Sequence, residues 1–112
     1  MRAVLIKPDK APETVEISGS MEDIYQLLDC DYAESVTLAP ATLLLHSDSA
    51  KREGRAKNVG ATAFFQYAGA RFEDYIAGNA LIVGVDDEGG FAEPDLGALM
   101  SAVEAYEKNK DR

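Results

Sequence analysis

Lys51, Arg52, Arg55 and Lys57 fall within seven residues and lead directly into Asn58-Val59-Gly60-Ala61-Thr62. These residue types in this order suit an anion. Asn is a favoured helix N-cap. A helix start leaves backbone N–H groups without intrahelical partners, and the helix dipole adds partial positive charge there. With Arg55 and Lys57 beside it, the free N–H groups of Val59 and Gly60 would favour a phosphate. The seven-residue segment holds four basic groups and one acidic, a charge of +3, in a chain of formal charge −9, so the remaining residues together carry −12. The candidate anion site is therefore Lys51, Arg52, Arg55, Lys57 and Asn58. Its ligand would be a phosphorylated small molecule or a nucleotide signal. The segment is not a P-loop, because G-x-x-x-x-G-K-[ST] is absent. The plainer reading is an exposed hairpin whose charges balance an acidic protein.

Other reactive residue types form no constellation. His46 is the only histidine and is followed by Ser47, Asp48 and Ser49. Neighbours in a strand point to opposite faces, so this order does not make a hydrolytic triad. Cys30 is the only cysteine. Asp29 and Asp31 flank it and would raise its pKa, which discourages nucleophilic work, and the side chain is expected to be partly buried. Asp86-Asp87-Glu88 lacks EF-hand spacing and reads as an exposed acidic turn. No nucleophile, base and orienter stand together, so an enzyme is not expected, and neither a metal nor a cofactor is implied.

Composition sets the frame. At 112 residues, 46% hydrophobic and 28% charged, the chain is one globular domain. One thiol and no CxxC fit a reducing cytosol. The apolar run Ala3–Ile6 is too short for a signal peptide, and no stretch approaches a membrane span. The expected setting is cytoplasmic. A net charge of −9 argues against general nucleic-acid binding, since the field repels phosphates. The same charge would suit a protein partner with a basic surface.

The elements that must carry these residues read as α+β: a small, mixed, largely antiparallel sheet with about three helices. Arg2–Lys7 and Thr14–Ile17 make an N-terminal hairpin around Pro8–Pro12. Ser20 and Asp23 open a helix with Ile24, Leu27 and Leu28 on one face, ending near Cys30-Asp31. Glu34–Leu38 and Thr42–His46 are strands broken by Ala39-Pro40-Ala41. Asn58 caps a helix through Ala61, Phe64, Phe65 and Tyr67, weakened by Gly60 and ended by Gly69. Those aromatics, with Phe72, are assigned mostly to the core. Arg71–Tyr75 is a loop or short helical turn. Ala80–Val85, almost continuously apolar, is the central strand. Gly78 and Gly84 bracket it and allow close backbone approach. Pro94-Asp95 opens a C-terminal amphipathic helix with a stripe of Leu96, Leu99, Met100, Val103 and Tyr106.

Taken in order, the AVLIKP strand, the capped helix, KNVGATAFF and YIAGNALIVG resemble the family of domain of unknown function 3846. The residues that carry the likeness are Lys7-Pro8, Gly54, Asn58, Ala61-Thr62, Ala77-Gly78-Asn79-Ala80 and Val83-Gly84, over about residues 1–90. The resemblance implies a phage or mobile-element origin and supplies no catalytic residues. The expected function is that of a small acidic, non-enzymatic phage-type protein that binds a host protein, such as a defence or regulatory factor. The alternative is the phosphorylated ligand at residues 51–58. An edge strand or the last helix is the surface on which a homodimer would form.

Overall fold

The computed structural model describes residues 1–67, 74–95 and 97–109. Leu96, Gly69, Phe72 and Arg71–Glu73, and the side chain of Tyr67, lie outside the described residues. The chain runs β1 (Arg2–Ile6), β2 (Glu13–Glu16), α1 (Met21–Leu28), β3 (Ala33–Ala39), β4 (Thr42–Ser47), α2 (Val59–Tyr67), β5 (Ala80–Val85), β6 (Phe91–Ala92) and α3 (Ala98–Asn109). Among the described residues, six strands form one sheet, β2-β1-β5-β4-β3, with β6 also on β5. Every pairing is antiparallel.

The sheet is covered on both faces, which explains the two unbroken apolar runs. Ala3 and Leu5 of β1, Leu81 and Val83 of β5 and Leu45 of β4 pack with Ile24 and Leu28 of α1. Val4 and Ile6, Ala80 and Ile82, and Leu44 point the other way, toward Ala61 of α2 and Ala102 of α3. A strand with alternate residues in two cores must be apolar at every position. β1 meets that condition from Ala3 to Ile6 and β5 from Ala80 to Val83, and β5 is central.

β4 takes one edge of β5 along most of its length, from Thr42↔Gly84 to His46↔Ala80. The other edge is shared. β1 occupies it at Val4↔Ile82, Leu5↔Leu81 and Ile6↔Ala80. Further along, β6 takes Gly84↔Ala92 and Val85↔Phe91. Gly84 permits this second pairing. A Cβ there would stand 2.5 Å from the carbonyl oxygen of Glu93, so the close approach expected at this glycine is to the protein's own backbone.

Local signals hold where they are local. Ser20 caps α1 with extended backbone, and its hydroxyl accepts from the Asp23 N–H. The Asp23 carboxylate accepts from the Ser18 N–H at 2.8 Å. α1 stops at Leu28, earlier than the sequence suggests, because Asp29 turns left-handed at φ 51. Two expectations need correction. α3 starts at Ala98 rather than at Pro94-Asp95. Its buried side is built on Ala102, with Ala98 and Leu99 packed alongside, while Met100 is 70% exposed. Small residues let α3 lie close to α2, so the contact face is rotated from the stripe that large side chains mark.

Gly84→Ala is expected to lower stability by about 1–3 kcal/mol by forcing β6 off β5. Met100→Ser should change stability by no more than about 0.5 kcal/mol. Urea denaturation of both variants checks the pair.

Candidate functional site

The basic segment is not a hairpin. It is a crossover that carries the chain from β4 to α2. The buried Ser47 hydroxyl accepts from the Ser49 and Ala50 N–H groups and turns the chain at the end of β4. The next residues wind tightly, with Glu53 N–H donating to Ser49 O, Gly54 N–H to Lys51 O and Arg55 N–H to Ala50 O. Lys57 then forms an isolated antiparallel bridge with Ala77, and Asn58 enters α2.

Asn58 is fully buried, and all its polar groups are used. Its side-chain amide donates to Ile6 O at 2.8 Å and to Gly78 O at 2.9 Å. Its side-chain oxygen accepts from the Ala61 N–H, as an N-cap should. Its own N–H donates to Ile76 O, and its carbonyl accepts from Thr62 N–H. Thr62 adds a second tie, since its hydroxyl accepts from Ile76 N–H at 3.0 Å. The cap is what the sequence predicts. The long-range bonds are not, because Ile6 and Gly78 are remote in sequence. A side chain closed in this way offers nothing to a ligand. Its contribution to any site is to hold the crossover in place. The positive φ of Gly78, +74°, lets the chain turn under Ala50 and present its carbonyl to Asn58.

The four cations of the segment divide. Arg55 leaves the start of α2 and reaches the far end of α1. It donates to Leu28 O at 3.3 Å, pairs with Glu53 at 2.9 Å and lies 3.9 Å from Asp29. α1 has no basic residue in its last turn, and Arg55 supplies the positive charge that this helix end favours. The Asn79 amide caps the adjacent Leu27 O at 2.9 Å. Lys51 forms a salt bridge with Asp74 and sits 4.5 Å from the Tyr75 ring centroid. Lys57 approaches the same ring at 6.0 Å. Arg52 is exposed. Among the described residues, Arg52 and Lys57 make no ion pair.

An open cleft of about 580 Å³ lies between the end of α1 and the crossover. Glu22, Asp29, Asp31 and Glu53 line it, with Arg55 as its one cation among the described residues. Cys30 also lines it and is partly buried. Burial pushes the Cys30 thiol up and Asp48 adds to the rise, while Arg55 opposes it. The direction matches the sequence expectation. The cause is burial and Asp48 rather than Asp29 and Asp31.

The remaining candidates do not assemble. His46 contacts Ser47 O and the Phe65 ring, while the Ser47 hydroxyl serves its own turn. Asp86 closes the β5–β6 turn by accepting from Glu88 and Gly90 N–H groups. Among the described residues, no group of His, Cys, Asp or Glu is placed to hold a metal ion, and no helix is long and apolar enough to cross a membrane.

The family model for a domain of unknown function (DUF3846) matches residues 1–104. The match runs past the stretch from which the likeness is legible and takes in much of α3. No curated protein and no solved structure matches the chain.

Asn58→Ala would take a donor from the Ile6 and Gly78 carbonyls and the acceptor from the Ala61 N–H. It is expected to cost about 3–5 kcal/mol, read by urea denaturation. A second expectation concerns acid. Lys51 and the Tyr75 N–H hold the Asp74 carboxyl below its ordinary value. The Arg2 N–H and side chain do the same for Glu93, and Ser18 for Asp23. A carboxyl lowered in the folded state adds stability above its ordinary value, 3.8 for Asp and 4.5 for Glu. That stability is lost as pH falls through the lower folded-state values. Melting temperature should therefore hold steady above about pH 5 and fall below about pH 4. Glu93→Gln should make the fall shallower.

Proposed function

This chain belongs to the DUF3846 family, and we propose that it works without catalysis, by binding a host protein that presents a basic surface. The observation that supports this reading is the cleft beside α1. It gathers four carboxylates against one guanidinium, and that guanidinium is already engaged by Leu28 O, Glu53 and Asp29. The Asp29 side chain is 89% exposed, so its charge is available to a partner's Lys or Arg. Tyr32, 69% exposed, follows Asp31 directly and adds an aromatic ring of the kind enriched at interfaces. The formal charge of −9 would speed encounter with a basic surface. A phage or mobile-element setting, which the family resemblance implies, makes a host defence or regulatory factor the class of partner. The cytoplasm is then where they meet.

A phosphorylated ligand at the original five residues has less support. Asn58 is enclosed, Arg55 serves α1, and Lys51 is paired with Asp74. Such a ligand would have to use the cations that remain around Tyr75.

The test is affinity capture from host lysate, quantified by mass spectrometry. It compares the intact chain with a Glu22→Gln/Asp29→Asn/Asp31→Asn variant. Asn tolerates the left-handed backbone at position 29, so the fold should be kept. Capture of a basic partner should fall by at least about tenfold, the effect of losing charged contacts. Unchanged capture by the variant would contradict the reading. So would capture lost only on Arg52→Gln/Lys57→Gln.

A further inference from the structure

We propose that Lys57 and Lys51, both over the Tyr75 ring, form with the exposed Arg52 that follows Lys51 in the chain a binding surface for the phosphate group of a small phosphorylated ligand. This surface does not depend on the acidic cleft. It uses cations of the crossover other than Arg55, together with an aromatic residue whose sequence context gives no hint of a site.

The backbone sets the arrangement. Lys57 bridges Ala77 in antiparallel fashion. Tyr75 lies two positions before Ala77 and therefore returns to the same side of that short ladder. Its ring meets the Lys57 ammonium at 6.0 Å and the Lys51 ammonium at 4.5 Å. A ring face attracts cations, so Tyr75 is a common contact for both lysines. Asp74 steadies Lys51, and its carboxylate is itself fixed by the Tyr75 N–H at 2.9 Å. Arg52 follows Lys51 in the same turn and is exposed.

Charge names the ligand class. Among the described residues, the +3 of residues 51–57 and the Asp74 carboxylate leave +2. A phosphate monoester carries about −1.5 to −2 at neutral pH and has three acceptor oxygens. It would meet Lys57, whose ammonium makes no ion pair among the described residues, with Arg52 closing from a flexible stem and Lys51 adding charge from its place beside Asp74. The surrounding charge sets the size. The residues outside the basic segment carry −12, a field that repels long polyanions and is least costly for one compact phosphate group. A nucleic-acid strand is thus disfavoured at the same surface that accepts a small phosphate.

The test is an NMR titration of the full chain at constant ionic strength, with chloride as the balancing anion. The probes are inorganic phosphate, adenosine 5′-monophosphate and adenosine. Phosphate and the nucleotide should both give saturable shifts at the Arg52, Lys57 and Tyr75 amides, and adenosine should give none. Equal affinity for the two would mark the phosphate group alone as the determinant. Tighter nucleotide binding would mark a nucleotide site. Lys57→Gln and Arg52→Gln, both surface changes, should each weaken binding at least about fivefold. Absence of saturation overturns the proposal. So do shifts reproduced by chloride alone, or a Lys57→Gln variant that binds as well as the original chain.

Discussion

The fold depends on the seam between β1 and β5. Both strands are buried on both faces, yet they pair over only three residue positions, Val4 to Ile6 against Ile82 to Ala80. Side chains continue the seam at both ends. Where the ladder ends at Ile6↔Ala80, the Asn58 amide donates to Ile6 O and Gly78 O and ties the end of β1 to the segment that leads into β5. Toward the other end, the Glu93 carboxylate accepts from the Arg2 N–H at 2.8 Å, next to the place where β6 takes over the edge of β5. Each closing group comes from a connecting segment. Asn58 is also the cap of α2, and Glu93 lies on the path to α3. The helices on one face of the sheet are thereby tied to the register of its central strands.

That constraint explains why a basic segment sits in an acidic chain. The crossover must bring Asn58 to the seam, and its cations anchor the path on either side. Arg55 reaches the end of α1, on the opposite face from α2, and binds a helix terminus that has no basic residue of its own. Lys51 holds the 74–76 segment through Asp74 and Tyr75. Those bonds account for half of the island's charge as architecture. Arg52 and Lys57 are left facing outward, and Arg55 brings Glu53 and Asp29 together at the mouth of the acidic cleft. Two surfaces of opposite sign thus arise from one short connection.

How much of this is legible in the sequence depends on the distance between partners. The Ser20 cap and the apolar runs of β1 and β5 are local, and each is found in the structure. Asn58 is readable as a cap because Ala61 N–H is three residues away. Its bonds to Ile6 and Gly78 are not readable, since no local pattern records which backbone groups a sheet leaves open. The architectural role of Arg55 is hidden for the same reason: the carbonyl it caps lies on α1, 27 residues upstream. Tyr75 gains its place only through the Lys57–Ala77 bridge. The C-terminal helix fails differently. Hydrophobic periodicity favours large side chains, so it selects Met100 and passes over Ala102, whose small size is what lets the helices approach.

Hydrogen exchange of the Asn58 side-chain amide protons, followed by NMR in the native state, measures the seam directly. If Asn58 closes it, these protons should exchange only through global unfolding, with the same free energy as the slowest β5 amides. Exchange faster than those amides by about a hundredfold or more, equivalent to a local opening some 3 kcal/mol easier than unfolding, would contradict the account. The crossover would then be a surface attachment rather than the part that joins β1, β5 and α2.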